Sequence, residues 1–138
     1  MFGVPVSLEV TRIFTFDAAH RLEDYVGKCN NLHGHTYRLE LTVRGTPDHR
    51  GIVVDFGDLK RLFKEYYEPL LDHRFLNESL PMVNTTAENL AIWFFDYWEE
   101  HVRPRHPEVQ PVRIKLWETE NAYATLTWDD WRAGRADQ

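Results

Sequence analysis

A single cysteine in 138 residues leaves no internal disulfide framework, so the fold has to rest on a packed core and a reducing compartment is the default expectation. Cationic side chains are also in short supply. Sixteen Lys and Arg against twenty-two Asp and Glu give a formal charge of −6, which speaks against a general nucleic-acid surface but leaves room for a local basic pocket around a phosphorylated small molecule. No signal-like apolar run or membrane span opens the chain, and the expectation is a cytoplasmic protein that meets neither membrane nor nucleic acid. Internal repeats and low-complexity tracts are missing too, so residues 1–138 are expected to form one domain. What the chain does have is aromatic and aliphatic mass. Hydrophobic residues make up 43% and include five Trp and eight Phe, ample for a core and incompatible with disorder.

Periodicity divides the chain into elements. Ser7 to Phe16 reads as a strand with Leu8, Val10, Phe14 and Phe16 on one face and Arg12 breaking the pattern. Asp17 to Asn31 has no sustained period and reads as a long loop, the kind that often carries function. From His35 to Arg44, Tyr37, Leu39, Leu41 and Val43 alternate cleanly with polar residues, as in a half-buried strand. A turn over Gly45 to Gly51 precedes a helix from about Phe56 to Leu70, capped by Asp55, with Phe56, Leu59, Phe63, Tyr66 and Leu70 as its apolar stripe. Leu71 to Asn77 reads as a loop. Thr85-Thr86-Ala87-Glu88 announces a second helix as a capping box between Thr85 and Glu88, and its stripe of Leu90, Trp93, Phe94, Tyr97, Trp98 and His101 runs until Pro104. Val112 to Glu118 and Tyr123 to Trp128 are the last two strands, and Ala133 to Gln138 reads as a polar, frayed tail.

The chemistry concentrates in Cys29-Asn30-Asn31-Leu32-His33-Gly34-His35, with His20 thirteen positions upstream of His33. In an extended backbone His33 and His35 leave the same face, and Gly34 between them lets the chain bend. With His20 they make a three-nitrogen set that leaves one tetrahedral position open, the arrangement of a catalytic zinc. Cys29 has two readings: as fourth ligand it closes the site into a structural zinc, and as a free thiol beside a cation it is an activated base or nucleophile. Asp72-His73 is a second candidate, although a lone Asp-His pair is more often ordinary surface. Glu118 falls in an apolar register, either at an exposed strand end or as a buried anion awaiting a hydrogen-bonding ligand.

Two strands, two helices and two strands make an α+β layout, an antiparallel sheet with helices on one face. Its open edges can be satisfied by joining sheets across subunits into a closed barrel. Phe16-x-Ala18-Ala19-His20, Cys29-x3-His33-Gly34-His35, Val54-Asp55-Phe56, Leu71-Asp72-His73-x2-Leu76-Asn77, Thr86-Ala87-Glu88-Asn89 and Glu118-Thr119 together resemble the 6-pyruvoyl-tetrahydropterin synthase and 6-carboxytetrahydropterin synthase family of tunnelling-fold proteins. The resemblance implies a four-stranded antiparallel sheet with two helices on one face, and a homohexamer of two stacked trimers whose active sites are shared between subunits. It further implies zinc on His20, His33 and His35, a thiolate base at Cys29, a relay from Asp72 and His73, and a pterin anchored by Glu118 with Thr86 in the substrate site.

The spacing from Cys29 to His35 resembles the bacterial 6-carboxytetrahydropterin synthases of queuosine precursor synthesis. Their reaction takes 7,8-dihydroneopterin triphosphate and water to 6-carboxytetrahydropterin, acetaldehyde and triphosphate. The alternative product is 6-pyruvoyltetrahydropterin, and a reading from another class is a non-catalytic zinc module with Cys29 as a ligand. Thr85 stands where the family has Pro, the bulky Trp117 neighbours Glu118, and Lys28 is a triphosphate candidate by proximity.

Overall fold

A computed structural model describes residues 5–23 and 26–136, and of Cys29 the backbone alone. Its centre is a long hairpin. Strand β1 (Leu8–His20) pairs antiparallel with β2 (His33–Gly45) over their whole lengths, from Leu8 opposite Gly45 to His20 opposite His33. β1 thus runs four residues past the expected end at Phe16. Asp17, Ala18 and Ala19 carry too little apolar bulk to show the alternation, yet the ladder holds them: Ala18 is buried and Asp17 faces out. Gly34 lies in regular strand opposite Ala19, so it makes no bend.

Beyond β2 the chain turns through Asp48, whose carboxylate accepts from the amides of Arg50 and Ile52. Helix α1 (Phe56–Tyr66) begins where expected, with Asp55 accepting from Gly57 N–H at 2.6 Å. It does not reach Leu70. Pro69 has no N–H for the carbonyl four residues back, so the helix breaks at Tyr67 and restarts as α2 (Glu68–Leu71), with Pro69 in its first turn. The buried stripe is Leu59, Leu62 and Phe63, while Phe56 is half exposed. The expected loop after Leu71 holds a two-residue strand, β3 (Arg74–Phe75), and a short helix, α3 (Leu76–Ser79). β3 adds to β1 in parallel at Ala18 and Ala19.

Helix α4 (Ala87–Tyr97) starts one residue later than the expected capping box. Thr86, not Thr85, is the cap, accepting from Asn89 N–H at 3.1 Å, and Thr85 is fully buried. A π-helical turn over Trp98–Val102 carries the chain to Pro104. β4 (Gln110–Thr119) pairs with β2 and with β5 (Ala122–Thr127), giving the sheet order β3-β1-β2-β4-β5. The four long strands are the expected antiparallel sheet, and β3 makes a fifth. A bulge opposite Thr42 and Val43 brings Pro111 into the core and leaves Val112 only half buried. Trp128, expected to end the last strand, begins helix α5 (Trp128–Ala136), which also takes in Ala133 to Ala136 of the expected frayed tail. Trp131 and Arg135 both bond the carboxylate of Asp96, and Trp128 packs edge-on to Phe95 at 5.1 Å, so α5 is fastened to α4. Residues 137 and 138 of that expected tail lie outside the described residues.

The core lies between one sheet face and the helices. Phe14 and Phe16 of β1, Leu39 and Leu41 of β2, and Ile114 and Leu116 of β4 meet Leu59, Phe63, Leu90 and Phe94, each buried side chain contributing about 1.5–3 kcal/mol of transfer free energy. Phe14 stacks on Phe63 at 4.3 Å, and Tyr67 on Phe94 at 4.0 Å. The other sheet face is polar and cross-linked by Thr11–Thr42, Arg113–Glu9 and Trp117–Glu40 hydrogen bonds.

Tyr67 joins the broken helix to α4, because its buried hydroxyl donates to the Phe94 carbonyl at 2.8 Å. Replacing Tyr67 with Phe should cost about 1–2 kcal/mol, read as a lower denaturant midpoint with an unchanged m-value. An unaltered midpoint would mean that ring stacking alone holds the junction.

Candidate metal centre

The hairpin register makes the centre. His20 ends β1 directly opposite His33, the first residue of β2, and His35 follows two residues along the same face. The three rings sit 4.5–5.0 Å apart, centroid to centroid, and one nitrogen of each lies within 4.8 Å of the others. His20 is fully buried.

The hydrogen bonds fix the tautomers. His20 donates Nδ1–H to the Thr85 carbonyl at 2.9 Å, and His33 donates Nδ1–H to the Asn31 carbonyl at 2.6 Å. Both Nε2 atoms are therefore lone-pair acceptors, yet they face each other at 3.0 Å. Two lone pairs at that distance repel unless a cation lies between them. His35 Nε2 is buried without a hydrogen bond, with Glu118 Oε1 3.3 Å away as an ion-pair neighbour. The donor set fits a metal: three neutral imidazole nitrogens converge, each short of a partner, with two of the rings held from behind by backbone carbonyls. Burial lowers the pKa of both His20 and His35, with the Glu118 charge opposing it in each, so both are held in the neutral form that ligates metal.

Asp72 and His73 form a separate cluster, on the other side of β1. The Asp72 carboxylate accepts Asp17 N–H at 3.0 Å and lies 2.9 Å from His73 Nδ1, while His73 N–H donates to the Asp17 carbonyl at 2.6 Å. Thr36 donates to the Asp17 carboxylate at 2.5 Å. The Asp17 side chain alternates with buried Phe16 and Ala18 and so points away from the histidine face, while Asp72 and His73 meet the Asp17 backbone at the strand's edge. The Asp17 amide, seconded by His73, pulls the Asp72 pKa down, and the hydrogen bond that His73 donates to Asp72 raises that of His73. His73 also adopts φ 57°, a left-handed conformation uncommon outside glycine, which the two bonds to Asp17 and Asp72 hold in place.

Of the residues singled out from sequence, His20, His33, His35 and Glu118 come together, and Asp72 pairs with His73. Thr86 is placed at the start of α4 with its hydroxyl engaged as the cap. Lys28 is exposed in a short 3-10 turn, Lys28–Asn30. The Cys29 side chain lies outside the described residues. Sequence reasoning missed Asp17 and Thr36, whose only signal was their place in the β1–β2 alternation. It also misread Thr85, which looked like a helix cap and is a partner of His20.

Fold and centre together define an α+β protein of the pterin-synthase type. The family model for 6-pyruvoyl tetrahydropterin synthase matches residues 9–128, and the chain belongs to that family. It is 31% identical to the 6-carboxy-5,6,7,8-tetrahydropterin synthase of Haemophilus influenzae, over 83% of this chain and 95% of that one. To the 6-pyruvoyl tetrahydrobiopterin synthase of Poecilia reticulata it is 35% identical, over 80% of this chain and 84% of the other. The solved 6-pyruvoyl tetrahydropterin synthase of Caenorhabditis elegans superposes with a TM-score of 0.75 at 28% identity, covering 88% of this chain and 96% of the other. No described helix is long and apolar enough to cross a membrane.

The lowered pKa of His20 and His35 has a stability consequence. Below the ordinary value of 6.5 the unfolded chain takes up protons that the native state resists, so stability is fully present above 6.5 and is lost as pH falls through the folded values. Metal-free protein should therefore show a falling denaturant midpoint between pH 7.5 and 5.5, with a flatter fall in His20→Gln. An equal slope in the two proteins would remove His20 from the effect.

Proposed function

We propose that the chain is a zinc-dependent carbon–carbon lyase that converts 7,8-dihydroneopterin triphosphate and water to 6-carboxy-5,6,7,8-tetrahydropterin, acetaldehyde and triphosphate. This is a cytoplasmic step toward the queuosine precursor. The observation that carries the reading is the convergence of three bare imidazole nitrogens beside Glu118, in a family whose relatives include a 6-carboxy-5,6,7,8-tetrahydropterin synthase. When held by His20, His33 and His35, zinc supplies Lewis acidity toward the side-chain oxygens of the substrate.

The chain's own groups do the rest. Glu118 accepts the paired N–H donors on the amino-pyrimidinone edge of the pterin, a charge-assisted contact that orients the ring. Cys29 as thiolate takes the proton from the side-chain carbon, and His73, oriented by Asp72, passes a proton onward. The separation of the two clusters supports a shared active site, in which the Asp72–His73 pair of one subunit serves the metal centre of its neighbour. The β1 edge supports such assembly as well. β3 covers it only at Ala18 and Ala19, and Leu8 and Ile13 are exposed along the remainder. The expected assembly is a homohexamer of two trimers with sheets joined into a barrel.

Elimination of triphosphate to 6-pyruvoyltetrahydropterin is the second reading, favoured by the relative from Poecilia reticulata. Mass spectrometry of the products formed from dihydroneopterin triphosphate separates the two. Acetaldehyde with the carboxy pterin is expected, the pyruvoyl pterin would transfer the chain to the second reading, and an untouched substrate would leave a zinc module.

The shared site makes its own prediction. Cys29→Ala and His73→Ala should each keep zinc and each lose turnover by about 10²–10⁴. Co-expressed as mixed oligomers, they should recover a measurable fraction of activity, since some sites would then draw both intact groups from different chains. A mixture as inactive as its parents would place Cys29 and His73 of each site on one chain.

A further inference from the structure

Asn77 lies at the start of α3, outside the histidine cluster, yet its carboxamide sets the direction of the Thr85 hydroxyl that reaches His20 from behind. Its Nδ2 faces two carbonyls, donating to Arg21 at 2.7 Å and Val83 at 3.1 Å. Its Oδ1 accepts from Arg21 N–H at 2.9 Å and from the Thr85 hydroxyl at 3.2 Å. All four hydrogen-bonding positions of the amide are used, and a flipped amide would set oxygen against both carbonyls. Because the Thr85 proton goes to Asn77, the Thr85 oxygen presents lone pairs to His20 Nδ1, 3.3 Å away, alongside the Thr85 carbonyl at 2.9 Å. Two acceptors then face Nδ1, which must carry the proton, and Nε2 is left bare toward His33. The same carboxamide ties Arg21, the residue after His20, to the segment containing Val83 and Thr85. Thr85 is fully buried, so no water stands in for the missing member of such a ring.

We infer that Asn77 is a positioning residue of the metal centre, which through Thr85 locks His20 in the Nδ1–H tautomer and fixes its ring for ligation. The inference rests on the reading of His20 as a metal ligand. No other residue type fills the role. Asp offers no donor to the Arg21 and Val83 carbonyls, and Ala leaves three backbone groups and a buried hydroxyl without partners.

The test measures zinc affinity by competition with a chromophoric chelator, with circular dichroism to follow the fold and nitrogen-15 NMR of the metal-free protein to read the His20 tautomer. Asn77→Asp and Asn77→Ala should weaken zinc binding by about 10- to 100-fold and mix the tautomers of His20. Thr85→Val, which removes the hydroxyl but keeps shape and carbonyl, should shift both in the same direction by less, and Thr85→Ser should restore both. Wild-type affinity and an unmixed tautomer in folded Asn77→Asp would overturn the inference. If the Asn77 variants do not fold, Thr85→Val decides, and wild-type values there overturn it equally. A wild-type protein that binds no zinc would instead remove the ligand reading, and the tautomer measurement would still judge the role of Asn77.

Discussion

The backbone register between β1 and β2 is the constraint on which the remaining structure depends. Side chains alternate along a strand with a period of two, so a slip of one residue would turn His20 to the opposite face from His33 and His35. The same slip would expel Phe14 and Phe16 from the core. Hydrophobic burial and ligand convergence are thus set by one variable. Moving the register costs several buried aromatic and aliphatic side chains at once, far more than the local repulsion among the three imidazoles gains by relaxing. The core holds the histidines in an arrangement they would not choose for themselves.

That coupling explains which parts of the site were legible in the sequence. His33 and His35 could be placed on one face because the alternation of Tyr37, Leu39, Leu41 and Val43 continues their register without interruption. His20 was harder. Between Phe16 and His20 stand one charged residue and two alanines, and only the pairing with Thr36, His35 and Gly34 makes them strand. The helix break at Tyr67 was readable in Pro69, but a strong apolar stripe on either side masked it. Of the Asp17–Thr36–Asp72–His73 group only the Asp72-His73 pair was readable, since the part of Asp17 and Thr36 needs the left-handed turn at His73 and a parallel pairing of two residues. The role of Thr85 was hidden for a different reason: Thr85 and Thr86 are both good caps by composition, and burial of the first against His20 decides between them.

The two faces of the sheet divide the chemistry. On the helix face, burial keeps imidazoles neutral and strips them of water, which suits metal ligation and starves the site of proton carriers. On the outer face, an exposed His73 held by Asp72 stays protonated to higher pH and is in contact with solvent. A reaction that drew on both a Lewis acid and a proton relay would have to bring together two groups that this chain keeps apart, the histidines at the end of β1 and β2 and the Asp72–His73 pair bonded to the Asp17 backbone. Two chains side by side would meet that need. The uncovered β1 edge and the exposed Leu8 and Ile13 give such a pairing a physical drive of its own.

Three imidazole nitrogens brought together in a buried place are costly for the fold unless a cation lies among them. Two Nε2 lone pairs at 3.0 Å and a third nitrogen buried without a hydrogen bond are each unfavourable against a well-packed apolar alternative. Backbone carbonyls of Asn31 and Thr85 keep two of the rings from turning away. Rigid support of this kind raises affinity for a cation because the reorganisation cost is met during folding and not at the moment of binding. Binding then returns stability to the folded state in proportion to the logarithm of metal concentration over its dissociation constant. A change that lets the three rings turn apart would therefore weaken their hold on a cation, because the cost of gathering them would then be met at the moment of binding.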